Sequence, residues 1–238
     1  MWPNPSIERT SSGKLRLPPV AAHVKRQVPL VTLQVLFVHG MGRSSASGWL
    51  LLRQLRRAGL KTASFGYSVS RESFSEIASR LSEEIGSLLA EGELVLVGHS
   101  LGGVLLREAL SALPRQRARV RHLFLLGSPV QSSRLAKRLS GNVVFRLVTR
   151  DCGRLLGSAE RMAAIGAPRV PTTGVAGIRG VGASGPFGQE PNDCVVSVSE
   201  VSAGWLQDQI LVPVVHTLLP SSRRVAAVIL QTLRRNET

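Results

Sequence analysis

The chain has 238 residues, 43% of them hydrophobic and only 4% aromatic, so it can bury one sizeable core built from Leu, Val, Ile and Ala. No apolar run approaches the roughly 20 residues of a membrane-spanning helix, which excludes that class of protein from the expectation. The net charge is +15, from 30 Lys and Arg against 15 Asp and Glu, but the arginines are scattered and no nucleic-acid module accompanies them. Specific nucleic-acid binding is therefore not expected, and weak attraction to an anionic membrane surface fits the charge better. Cys152 and Cys194 form neither a disulfide framework nor a metal-ligand spacing. With no secretory signal pattern at the start, the expectation is a cytoplasmic monomer with reduced thiols, no metal and no cofactor.

Residues 1–27 are rich in Pro, Ser and basic side chains without helical or strand periodicity, and are expected to be a disordered basic extension. The folded domain is expected over residues 28–238. VTLQVLFVHG (31–40) is a buried strand, apolar almost throughout before a glycine. Helical spacing follows over 47–60, then a strand over 61–69. Residues 70–92 form a long amphipathic helix in which Phe74, Ile77, Leu81, Ile85 and Leu88 recur every three or four positions. ELVLVGH (93–99) is the third strand, followed by a helix from Leu101. Further strands are expected over 120–130, 172–180 and 208–214, with a closing helix over 221–235. Residues 131–171 are irregular, with short helices near 131–140 and 158–165, and are placed to roof a site. Strands alternating with helices predict an α/β fold: an open, mostly parallel six-stranded sheet with helices on both faces.

The chemistry concentrates at Gly98-His99-Ser100-Leu101-Gly102. A serine nucleophile must project from a strained strand-to-helix turn where neighbouring side chains are absent, and Gly98 and Gly102 meet that need. The motif alone is weak; its place between a strand and a helix makes it specific. A serine hydroxyl also needs a base. Of the five histidines, His23 lies in the extension, His99 is held inside the elbow, His122 begins a strand and His39 ends one. His216 follows the last strand, at the carboxyl edge where such folds build sites, and is the expected base. An acid must orient that base. Asp193 lies between the fifth and sixth strands and gives the chain order Ser, Asp, His; Asp151 is the rival. The oxyanion would be held by the backbone N–H groups of Met41 and Leu101, with His39 and Gly40 shaping the first loop.

The stretches VLFVHGMG, VGHSLGG, LLGSPV, PNDCVVSVSE and LVPVVHTLL resemble the α/β-hydrolase superfamily over residues 31–235. They are most similar to a bacterial lipase- and esterase-like branch related to GPI-inositol-deacylase and triacylglycerol lipases. That resemblance implies ester hydrolysis, of a small-molecule or lipid ester, by Ser100, Asp193 and His216 through an acyl-enzyme. Relatives commonly carry Asn-Asp-Gly where this chain has Asn192-Asp193-Cys194. Two other readings remain open at this level: a thioesterase or amidase on the same fold, and a non-enzymatic hydrolase fold acting at a membrane or protein surface.

Overall fold

The computed structural model describes residues 33–182 and 185–235; the expected extension over 1–27 lies outside them. Six strands alternate with helices: β1 (Leu33–Val38), α1 (Trp49–Arg57), β2 (Lys61–Phe65), α2 (Phe74–Glu91), β3 (Glu93–His99), α3 (Leu101–Ser111) and β4 (Val120–Leu126). Three helices then follow in succession: α4 (Arg134–Leu139), α5 (Val143–Gly157) and α6 (Ala159–Ala164). β5 (Thr172–Gly177), β6 (Asp208–Val212) and α7 (Arg223–Arg235) complete the described chain. The strands form one parallel sheet in the order β2-β1-β3-β4-β5-β6, as the alternation predicts.

The central strands read as apolar runs because both of their faces are covered. Leu36, Val38, Leu94, Leu96, Leu123 and Leu125 point to one face and pack with α2 and α3. Val35, Phe37, Val95, Val97, Phe124 and Leu126 point to the other and pack with α1 and α7. The edge strands β2 and β6 keep exposed or half-buried positions.

Helix starts obey local chemistry. α2 begins at Phe74, later than the apolar spacing predicts, because Ser73 caps it: its Oγ accepts the Glu76 N–H at 3.3 Å, while the Glu76 carboxylate accepts the Ser73 N–H at 2.8 Å. The segment over 131–171 is more helical than expected. The 15-residue α5 fills the stretch read as irregular, and it contains a break at Arg150 (φ 46°, ψ −126°).

The topology fixes where a site can form. From β1 the chain passes to β2 on one side, and from β3 it passes to β4 on the other. The crevice beyond the carboxyl ends of β1 and β3 is therefore the switch point of the sheet. Register places Val38 beside Gly98, so the loops starting at His39 and His99 leave the sheet together.

Candidate active site

Ser100 sits between β3 and α3 with φ 53° and ψ −123°, a conformation that disfavours any side chain. Its N–H is tied to the Leu126 carbonyl at 2.9 Å. A Cβ on Gly98 would lie 2.4 Å from Gly103 Cα, and one on Gly102 would lie 2.2 Å from the Val38 carbonyl oxygen. The two glycines thus let α3 start directly against β1 and β3, with Ser100 at the apex.

His216 follows β6 in a short 3-10 turn. Its ring Nδ1–H donates to Asp193 Oδ2 at 2.7 Å, and its backbone N–H donates to the Asp193 carbonyl at 2.9 Å. Asp193 is fully buried. Its other carboxylate oxygen accepts the N–H groups of Val195 and Val196 at 3.0 and 2.9 Å, so the buried charge has three donors. A carboxylate can only accept, which places the neutral imidazole's proton on Nδ1 and leaves Nε2 with a lone pair.

Ser100 and His216 lean on one dipeptide. Leu126 takes the Ser100 N–H, and a Cβ on the adjacent Gly127 would lie 2.9 Å from His216 Nδ1. Gly127 has φ 55°, so both its backbone and its space require the glycine. No hydrogen bond joins Ser100 Oγ to His216 Nε2 among the described residues. Such bonds commonly tighten only when substrate is bound.

The loop after β1 passes over the serine: a Cβ on Gly40 would lie 3.1 Å from Ser100 Cβ. Arg43 N–H closes a turn onto the Gly40 carbonyl at 3.2 Å, with Gly42 at φ 67°. Neither the Met41 nor the Leu101 N–H donates to another group among the described residues.

His39 makes its contacts to this loop and to Tyr67. Its Nδ1 bonds the Gly40 carbonyl at 2.8 Å, its Nε2 faces the Tyr67 N–H at 3.4 Å, and its ring stacks on Tyr67 with centroids 4.1 Å apart. These partners define the Nδ1–H tautomer. Burial lowers the His39 pKa, keeping the ring neutral. Tyr67 also donates its hydroxyl to the His39 carbonyl at 2.8 Å.

His99 is buried against His216 with ring centroids 4.8 Å apart. Its Nε2–H donates to the His216 carbonyl at 3.1 Å, and Nδ1 has no hydrogen-bond partner among the described residues. Burial pushes its pKa well below the ordinary value, with the nearby His216 adding to the effect. His122 is buried within β4, with Nε2 2.8 Å from Thr173 Oγ1. Asp151 is not near His216; it pairs with Arg161 at 2.8 Å and accepts the Phe74 N–H at 3.3 Å. Cys194 takes φ 81°, the left-handed conformation that a glycine at that position would adopt without strain.

Three supporting residues escaped the sequence reading. Ser128 Oγ donates to the Ser100 carbonyl at 2.5 Å, bracing the elbow from the loop after β4, and Gly127 makes room for the imidazole. Tyr67 is the third, and only its being the sole tyrosine could have drawn notice. Among the described residues no group of three or more His, Cys, Asp or Glu is arranged to hold a metal ion, and no helix is long and apolar enough to cross a membrane.

A parallel six-stranded sheet with a strained serine elbow at its switch point and a buried Asp–His pair beside it defines a hydrolase-type architecture. The sequence model of the alpha/beta hydrolase family matches residues 35–229, and the chain belongs to that family. No curated protein matches it significantly. Among solved structures it is similar to the mature Bacillus licheniformis lipase BlEst2, with 17% identity, a TM-score of 0.67, and coverage of 86% of this chain and 93% of that one. It is also similar to the metagenomic carboxyl esterase MGS0156, with 18% identity, a TM-score of 0.68, and coverage of 97% and 85%. The Streptomyces coelicolor thioesterase RedJ shares 19% identity at a TM-score of 0.57, with coverage of 90% and 96%. At these identities the likeness is one of fold.

Proposed function

We propose that the protein is a serine hydrolase acting on carboxylic esters through Ser100, His216 and Asp193. The observation that carries this reading is the buried 2.7 Å contact between His216 Nδ1 and Asp193 Oδ2, in a chain whose Ser100 stands on a strained elbow tied to Leu126, next to the Gly127 that makes room for the imidazole. A histidine fixed in that tautomer presents Nε2 as a base, and the carboxylate stabilises the imidazolium that forms.

Ser100 Oγ attacks the ester carbonyl carbon as its proton passes to His216 Nε2. The carbonyl oxygen gains the negative charge and accepts the N–H groups of Met41 and Leu101. The tetrahedral intermediate collapses, the C–O bond to the alcohol breaks, and the imidazolium returns its proton to the departing alkoxide. Water then attacks the acyl-enzyme, again with His216 as base, releasing the carboxylic acid and free Ser100. No cofactor enters these steps.

A thioester would follow the same steps with a better leaving group, and the fold likeness to RedJ gives that substrate class a place in the assay. The test is turnover of p-nitrophenyl esters of increasing acyl length beside acyl-thioesters, by wild type and Ser100→Ala. Hydrolysis of esters that disappears with Ser100 is the expected result. Turnover unchanged in the alanine variant contradicts the assignment, and a large kcat/KM preference for thioesters moves the substrate class.

A further inference from the structure

The outer face of α5 carries an apolar ridge that no other part of the described chain covers. Val143, Val144, Leu147 and Val148 are 53–69% exposed. They recur at the spacing of a single helical stripe, while Phe145, Thr149, Cys152, Leu155 and Leu156 turn inward. Four large aliphatic side chains facing solvent within two turns of helix are unusual for a surface that meets only water.

The surroundings of the ridge are cationic. Residues 131–150 contain Arg134, Lys137, Arg138, Arg146 and Arg150 and no acid. A hollow of about 360 Å³ runs along α5, lined by Val143 and Leu147 together with Arg146, Arg150 and Arg154. The nearby acids are already engaged. Asp151 pairs with Arg161, Glu72 pairs with Arg80, and Glu76 serves the cap of α2. Arg134 is held by Glu190 and Glu200, whereas Lys137, Arg138 and Arg146 have no carboxylate partner among the described residues.

We propose that α5 docks the protein on an anionic lipid bilayer, its valines and leucine entering the acyl boundary and its arginines taking lipid phosphates. An apolar stripe bordered by basic side chains is the pattern of a helix lying in a bilayer interface. Arg146, Arg150 and Arg154 line one hollow with Val143 and Leu147, so the two contributions act on one surface: guanidinium groups meet phosphate as the aliphatic groups leave water. The ridge also sits near the candidate site. Arg150 Nη1 donates to the Ser70 carbonyl at 2.9 Å, in the loop that carries Tyr67, and Tyr67 stacks on His39. Binding itself does not depend on the proposed hydrolase chemistry, so Ser100→Ala binds as wild type does.

The test sediments the full-length protein with vesicles of phosphatidylcholine alone, and of phosphatidylcholine mixed equally with phosphatidylglycerol. Wild type is expected to bind the mixed vesicles. Val144→Ser with Leu147→Ser is expected to bind them at least about tenfold less tightly, given the transfer cost of aliphatic side chains. Arg138→Gln with Arg146→Gln should weaken binding roughly fivefold per charge. Arg57→Gln with Arg234→Gln, on the helix ends at the opposite edge of the sheet, removes the same charge and should stay within about twofold. A Val144→Trp reporter should shift to shorter emission wavelength with mixed vesicles and be quenched by brominated acyl chains. Equal losses from the two arginine pairs, an unaffected serine variant, or an unshifted reporter would overturn the proposal in favour of diffuse charge. A serine variant that turns a dimer into a monomer while binding vesicles normally would assign the ridge to a second copy of this chain.

Discussion

Ser100 carries its side chain at φ 53° and ψ −123°, a combination natural to glycine, and the surrounding contacts force it there. Strain of this kind costs of order 1–3 kcal/mol and is tolerated where a group must be presented. Ser100→Gly should therefore abolish turnover while raising the melting temperature by about 2–4 °C, after allowing for the extra flexibility of glycine in the unfolded chain. A thermal melt with no rise would show that the elbow stores no strain. The acid is tested at the same scale. Asp193 is fully buried and holds the imidazole tautomer, so Asp193→Asn should lower kcat by about 10⁴-fold. Asp151 is engaged with Arg161 and the start of α2, so Asp151→Asn should change kcat little and cost about 1 kcal/mol of stability at most. The opposite ranking of the two kcat values would move the acid.

Among the elements, β3 and α3 were the most legible, because a continuous apolar strand, two glycines and an apolar helix each have one physical reading there. β1, β4 and β6 were legible for the same reason, though the strands stop two to four residues before the apolar runs do. α5 was not. Its most visible apolar residues, Val143, Val144, Leu147 and Val148, face outward, so their spacing gives no sign of a core-facing helix. The helix is also broken at Arg150, and neither arginine nor its neighbours announce a positive φ. The partner of His216 was legible only by chain order. The contacts that hold Asp193, from Val195, Val196 and the His216 ring, are made by a loop with no periodicity. Tyr67 and Ser128 act across the sheet edge, at sequence distances of 28 residues from the groups they hold, beyond the reach of local pattern. The break in α5 has its own consequence. Arg150→Gly should relieve the positive φ and stabilise the fold by up to about 1 kcal/mol, read as a rise in urea midpoint with unchanged slope. A fall would mean that the Arg150 contact to the Ser70 carbonyl outweighs the strain.

At the scale of the whole molecule, the two faces of the sheet make two cores, and the site lies where the strand order reverses between β1 and β3. Several histidines are built into this frame as neutral rings. Burial lowers the pKa of His122 from 6.5 to about 4, and lowers those of His39 and His99 as well. Each ring holds its proton less readily folded than unfolded, so the unfolded chain binds more protons below pH 6.5 and stability falls as pH drops from there. For His122 alone the loss between neutrality and pH near 4 is on the order of 3 kcal/mol. Urea midpoints at pH 7 and pH 5 should show the decline, and His122→Gln should make it shallower. Equal midpoints at the two pH values would mean that these rings are not held neutral.

The central claim is that Ser100 is a nucleophile activated by His216 and Asp193. Its most direct measurement is mass spectrometry of the intact protein and its peptides after treatment with a fluorophosphonate, which reacts with activated serines. The account predicts a single adduct on the peptide containing Ser100, absent in Ser100→Ala and formed far more slowly in Asp193→Asn. An adduct on another serine, or labelling of Asp193→Asn at the wild-type rate, would contradict it.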